Sequence, residues 1–460
     1  MNMSIQLYWF WESSYPLISH KPGYLLITMD KAKLKRKALE EIERRKKEII
    51  AYAEEIWKEP ELGFKEFNTA RLTEQKYEEM DWRYENEIAI TGSKAYLKGK
   101  NSGPAVGIVG ELDALHIPVH PESHPVTGNI HACGHHSQMA AMLGAGIGLD
   151  VIKDHLDGEV VMVAVPAEEY IEIDYRNRLR EEGKLEFFGG KQEFLRVGAM
   201  KDVDICIGSH SAMDQEELVG VGGSNNGFIG KLVRYIGKES HAGGSPEKGV
   251  NALNAAMLGL MGIHANRETF RDEDTIRVHP IITKGGEIVN NVPADVKMES
   301  YVRGKNVEAI KDANIKVNNA LRAGAMAVGA EVDIVDRPGY MPYTRDPNLE
   351  KVVLEACEDL VGKDQIKHRG HSTGSTDMGD FSCVMPTTSI GMSGTEGPGH
   401  SREFKIIDPV KQYIVPSKAI AMITIDLLYD KSEKARETIK NFNPSIPREN
   451  YTEFMLKLVE

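Results

Sequence analysis

No stretch of about 20 uncharged apolar residues occurs in the chain, which excludes a membrane-spanning helix. Cysteine is scarce. The four residues Cys133, Cys206, Cys357 and Cys383 are scattered and form no CxxC pair, so neither a disulfide framework nor a paired-cysteine zinc motif is available. Three of them sit among apolar residues and read as small buried hydrophobes, whereas Cys133 is flanked by histidines. Basic charge is in deficit, with 56 Lys and Arg against 69 Asp and Glu and a net charge of −13. That argues against a nucleic-acid binder, which needs a basic face. Internal repeats and low-complexity runs are also missing, which excludes solenoids and compositionally disordered arrays. Glycine, by contrast, is plentiful at 43 residues. It clusters in loops near polar side chains, as expected of tight turns beside an active site.

At 460 residues the chain is too long for one ordinary core, so at least two domains are expected. Residues 1–28 carry Tyr8-Trp9-Phe10-Trp11 without a basic segment before them, and Glu12 and Pro16 interrupt the apolar stretch. They make a poor signal peptide and read as a disordered leader or a mis-called start, with Met29-Asp30 the natural beginning of a cytoplasmic protein. A long charged helix is expected over 31–58 and another over 68–80. Apolar runs at 105–109, 160–165 and 204–208, separated by helical segments, predict an α/β catalytic domain with a mixed, mostly parallel sheet flanked by helices. From about residue 226 the rhythm becomes strand, helix, strand, strand, helix, strand, the order of a small α+β sandwich. Its third element is read as one strand over 275–282. The expected division is a catalytic domain from 29–225 and 337–430, an inserted lid or dimerisation domain at 226–336, and a polar C-terminal tail at 431–460.

Four short segments carry metal-type chemistry. The first, His131-Ala-Cys133-Gly-His135-His136, precedes a helix. Cysteine and histidine two residues apart in a loop can face one ion, and thiolate with imidazole suits zinc and similar metals. A His-rich surface loop around a buried cysteine is the alternative. The second, Pro166-Ala167-Glu168-Glu169, follows a buried apolar strand. One carboxylate there can ligate a metal while its neighbour acts as general base, or the pair can simply open a helix in solvent. His210 follows an apolar run, and His400 stands in a loop before a helix. A lone histidine is more often a satisfied polar residue than a ligand, but in combination several strand ends of one sheet would deliver ligands to the same edge.

Taken together, Pro60-Glu-Leu-Gly-Phe64, Thr91-Gly92, Glu111-Leu-Asp-Ala-Leu115, His131-Ala-Cys-Gly-His135, Pro166-Ala-Glu-Glu169, Ser240-His-Ala242, Asn291-Val-Pro293 and His400 stand in an order and spacing that resemble the zinc aminoacylase and carboxypeptidase superfamily over residues 45–430. The resemblance is strongest to its amidohydrolase branch of aminobenzoyl-glutamate hydrolases, hippurate-type aminoacylases and plant auxin-conjugate hydrolases. Ser375-Thr-Asp-Met-Gly-Asp380 looks most like the aminobenzoyl-glutamate group. The resemblance implies two divalent ions per chain, zinc foremost and manganese, cobalt or nickel also suitable, held by Cys133, His135, Glu169, His210 and His400. It further implies Glu168 as general base, His241 as a catalytic and substrate-binding residue on the inserted domain, Asn291 as another substrate contact, and Asp113 as a residue orienting a ligand. The chain departs from the family's pattern at His136, where Asp is common, and in the long charged segment 170–195.

The function expected is hydrolysis of the amide bond of N-acyl or aminobenzoyl amino acids, or of short peptides with a free carboxylate. A homodimer through the inserted domain is expected, with neither nucleic acid nor membrane as partner. Two rival readings are a thiol amidohydrolase using Cys133 as nucleophile and an inactive metal- or carboxylate-binding protein.

Overall fold

The computed structural model describes residues 30–213 and 216–459. The leader expected at 1–28 lies outside the described residues. In chain order the first strands are β1 (Arg83–Ile88), β2 (Gly92–Lys98), β3 (Asn101–Glu111), β4 (Asp157–Val165), β5 (Ile205–Ser211) and β6 (Val219–Asn225). The chain then builds a second sheet from β7 (Gly227–Ile236), β8 (Arg277–Val278), β9 (Ile281–Lys284), β10 (Asp295–Gly304) and β11 (Glu331–Pro338). It returns to the first sheet with β12 (Ile366–Ser372) and β13 (Thr387–Met392).

The first sheet has eight strands in the order β1-β2-β4-β3-β5-β13-β6-β12. Its centre, β4-β3-β5-β13, is parallel, while β1, β2 and the β13–β6 contact are antiparallel. The continuous apolar runs follow from burial on both faces. Val106 and Ile108 of β3 and Val160, Met162 and Ala164 of β4 enter one core, while Val109, Val161, Val163 and Val165 enter the other. The almost wholly buried helix His135–Asp150 fills the first core beside helix Val415–Leu428. In the second sheet β10 pairs β7, β7 pairs β11, and β8 and β9 share the other side of β10. Helices Ala252–Ala265 and Val307–Val328 pack on this sheet around a separate core.

Three expectations change. The helix expected over 31–58 bends at Arg45 into Lys31–Arg44 and Lys46–Lys58. The strand expected over 275–282 is split into β8 and β9 around Pro280, which has no N–H to give to the ladder. The polar tail expected at 431–460 is instead packed structure, with helices Glu433–Asn441 and Tyr451–Lys457. Ile446, Tyr451, Met455 and Leu458 are buried in the second core, and the Tyr451 hydroxyl donates to Asp380 Oδ1 at 2.5 Å. A few widely spaced apolar residues in a charged segment suffice, each worth ~1.5–3 kcal/mol when buried.

Candidate metal centre

The parallel strands β3, β4 and β5 end at one edge of the sheet, and their ends bring Asp113, Glu168, Glu169 and His210 together. Cys133 and His135 arrive at the start of helix His135–Asp150, and His400 in the loop after β13. Three groups have ligand atoms within 4.8 Å of one another: Cys133/His135/His210 and Cys133/Glu169/His400, which share Cys133, and Glu111/His135/Glu168. Cys133 Sγ lies 3.4 Å from His210 Nε2 and 3.3 Å from His400 Nε2. His400 Nε2 lies 3.2 Å from Glu169 Oε1. Glu168 Oε2 lies 3.8 Å from His135 Nε2. Cys133, His135, Glu168 and Glu169 are buried, His210 is half-buried and His400 is exposed.

Backbone geometry aims these groups. Gly134 has φ +86°, and a Cβ there would lie 2.1 Å from Ser211 Oγ, so only glycine lets Cys133 and His135 turn inward together. Ala167 and His400 hold φ values of +54° and +58°, a conformation that costs roughly 1–3 kcal/mol and clusters at functional sites. The Ala167 turn is fixed by its N–H, which donates to Glu66 Oε1 at 2.8 Å, while Glu66 Oε2 accepts from Thr91 Oγ1 at 2.7 Å. Asp113 binds both sides of the centre: its Oδ1 is 3.0 Å from His135 Nδ1, and its Oδ2 accepts the Glu169 N–H at 2.8 Å. His210 Nδ1 faces the Ser211 carbonyl at 2.9 Å. The Nε2 atom of His210 is thereby turned toward Cys133, and that of His135 toward Glu111 and Glu168.

The residues fit divalent cations. A thiolate, imidazoles and a carboxylate are the donor set of zinc and its neighbours. His135 Nε2 and Glu169 Oε1 are buried and face only other groups of this cluster, Glu111 Oε2 at 3.1 Å and His400 Nε2 at 3.2 Å, an arrangement a cation would satisfy. Electrostatics point the same way. Burial and Glu169 push the Cys133 thiol up, but His135 and His210 outweigh them and bring it down to about 6. Burial raises Glu169 as well, yet His400 brings it down to about 2. Glu168 is raised well above the carboxylate range by burial and by the charges of Glu111 and Glu169. Hydrogen bonds to Cys133 and Glu169 raise His400 to about 11. Cations among these groups favour every ionised ligand.

A cleft of about 520 Å³ opens onto the centre. Arg303 and Arg369 line it, and among the described residues neither has a carboxylate within ion-pair distance. Arg303 donates to Ser375 Oγ at 3.1 Å and lies over the Phe228 and Tyr301 rings. The Nε atoms of both arginines are buried and unbonded.

His241 and Asn291 are not brought to this centre. They pair through a backbone bridge on the surface of the second sheet, both exposed, and neither lines the cleft. His241 Nδ1 accepts from Gly243 and Gly244 N–H at 3.2 and 2.9 Å. His136 is a core residue, 4.8 Å from the Trp57 ring and held down to about 3 by burial. Sequence reasoning missed four side chains. Glu111 stood in a quoted motif at a strand end, a position like that of Glu168, and could have been singled out. Lys191, Arg303 and Arg369 gave no local signal, since an arginine or lysine in a polar stretch is ordinarily solvated.

The profile of peptidase family M20/M25/M40 matches residues 107–414. An Xaa-Arg dipeptidase of Mus musculus is 27% identical over 423 residues, spanning 86% of this chain and 89% of its own length. An IAA-amino acid hydrolase of Arabidopsis thaliana is 23% identical over 411 residues, spanning 86% and 89%. The crystal structure of a dinuclear metal binding peptidase from Bacillus subtilis superposes with a TM-score of 0.63 at 22% identity, covering 87% of this chain and 99% of that one. With the profile covering most of the chain and the centre's donor set in place, the chain belongs to peptidase family M20/M25/M40 and is a metal-dependent hydrolase of amide bonds.

Proposed function

We propose that the chain cleaves N-acyl amino acids or short peptides that carry a free carboxylate, using two divalent ions held by Cys133, His135, Glu169, His210 and His400. The observation that carries this reading is the pair of triads sharing Cys133 with Glu168 beside them. Bound ions would polarise the scissile carbonyl and ease deprotonation of water. Glu168 takes the proton of the attacking water and returns it to the leaving amine. Asp113 fixes the tautomer of His135. His241 donates to the oxyanion and Asn291 contacts the substrate, both carried in by movement of the segment 226–336 or supplied by a second copy of the chain. That division of the chain, at about 226 and 336, belongs to the proposal.

Arg303 and Arg369 favour an anionic substrate end. Two guanidinium groups without a carboxylate at ion-pair distance disfavour a basic side chain beside them, so the substrate preference should differ from the one in the mouse relative's name. Zinc suits the thiolate–imidazole set best. A homodimer is part of the reading, because Met257, Leu258 and Met261 on one helix and Ile281 and Ile282 on the β9 edge expose an apolar face, the kind of patch that marks a protein interface.

The test is metal analysis coupled to a substrate panel of N-acyl amino acids, aminobenzoyl-glutamate, and dipeptides ending in Glu or Arg. Two ions per chain and faster cleavage of the Glu-ending substrates are expected. Full activity after chelation would instead support Cys133 as a nucleophile, a reading favoured by its depressed thiol and by His400 at 3.3 Å.

A further inference from the structure

Glu111 closes β3, next to the strand that leads to Glu168, and is 2% exposed. Its Oε2 lies 3.1 Å from His135 Nε2. His135 Nδ1 faces two acceptors on Asp113, the backbone oxygen at 2.9 Å and Oδ1 at 3.0 Å, and so carries the ring hydrogen. His135 Nε2 therefore faces a buried carboxylate oxygen, and Glu111, His135 and Glu168 offer ligand atoms that all lie within 4.8 Å of one another. Donor atoms that bind one zinc ion at about 2.0–2.2 Å stand roughly 3 Å apart, as His135 Nε2 and Glu111 Oε2 do.

The carboxylate is fixed rather than free. Lys191 Nζ donates to Glu111 Oε1 and Gln138 Nε2 to Oε2, each at 2.6 Å. Lys191 is completely buried and also donates to Asp377. As the counter-ion of Asp377, this ammonium leaves Glu111 in excess: two buried carboxylates face one lysine, with Glu168 close by. A buried charge in excess needs a partner.

Resting on the two-ion reading above, we propose that Glu111 is a further metal ligand. It binds, with His135 and His210, the ion of the Cys133/His135/His210 triad, and Lys191 is the positioning residue that holds its carboxylate there. Cys133, Glu169 and Glu111 then bring three negative charges to two divalent cations, which suits a buried centre better than two charges do.

Equilibrium dialysis against zinc, together with the visible spectrum of the cobalt-loaded protein, tests this. The wild type should bind two ions. Glu111→Gln keeps the shape, and it should retain one ion at the original affinity while binding the other at least tenfold more weakly, with altered cobalt bands. Lys191→Met should weaken the same ion by about 10–100-fold, the usual effect of removing a group that supports a ligand. Glu168→Gln, in the same cleft, should keep both ions. If Glu111→Gln does not fold, Glu111→Asp decides by the same readings, because its shortened carboxylate should also weaken one ion alone. Two ions at wild-type affinity with an unchanged cobalt spectrum in the Glu111 variant overturn the proposal. A wild type that binds fewer than two ions overturns the reading beneath it.

Discussion

The Cys133–His400 centre and the His241–Asn291 loop carry motifs of the same superfamily resemblance, yet the fold treats them in opposite ways. The first is assembled at the ends of parallel strands, with its side chains already within 3.2–3.4 Å of one another. Its carboxylates are buried and its turns are held in left-handed conformations by hydrogen bonds from behind. The second is an exposed pair on a glycine-rich surface loop of another sheet, bonded only to its own backbone. Metal binding needs preorganised donors, so the fold spends strain on them. A residue that must admit substrate before touching it can wait outside and arrive by closure or assembly.

The sharpest way to break this comparison is at Glu168. Glu168→Gln should lower kcat by about 10²–10⁴-fold, the scale of a lost general base, while both ions stay bound. If metal content falls with activity, Glu168 is a ligand and its role and that of Glu169 are exchanged.

His241→Ala should have the next largest effect, a loss of about a hundredfold in kcat, with metal content and melting temperature unchanged because the side chain is exposed. Near-normal turnover would remove His241 from the chemistry. The same variant asks how the loop reaches the centre. Mixing Glu168→Gln subunits with His241→Ala subunits recovers activity only if one copy serves the centre of another. Met261→Glu, on the exposed apolar helix face, should convert the mass of the proposed dimer in light scattering to that of a monomer. In that trans arrangement it should also abolish the recovery.

How much of this was legible in the sequence follows the same divide. The central strands could be read because β3 and β4 are buried on both faces, which forces unbroken apolar runs, and the candidate ligands Glu169 and His210 stand where such runs stop. What could not be read depends on partners distant in sequence. Lys191 looks like any surface lysine until Glu111 and Asp377 close around it. Arg176, in the charged segment that departs from the family pattern, is buried and donates to the carbonyls of Glu169 and Phe188, bracing the ligand turn from an unexpected side. Helix Tyr451–Lys457 has too few apolar residues to announce itself, yet Tyr451 and Met455 are fully covered. Local pattern reports which faces are apolar. It does not report which polar side chains the tertiary fold will enclose.

An effect on stability, not on turnover, concerns the rigid half alone. Glu66 holds the Ala167 turn that aims Glu168 and Glu169, and burial together with the nearby Asp113 raises its carboxyl to about 8. In the unfolded chain the same group titrates near about 4.3. The folded state thus binds a proton that the unfolded state has released. The stabilisation from this group is complete below about 4.3 and is lost as pH rises through about 8, beyond which it is level. Each pKa step across that window is worth about 1.4 kcal/mol, enough to move a melting curve. Glu66→Gln cannot ionise, and its amide can still accept from Ala167 N–H while donating to Thr91 Oγ1. The melting temperature of the wild type relative to Glu66→Gln should therefore fall as pH is raised from about 5 to about 9, with metal content held constant. A difference that does not vary with pH would mean that Glu66 is ionised in the fold, and that the Ala167 turn is held by a carboxylate and not by a neutral acid.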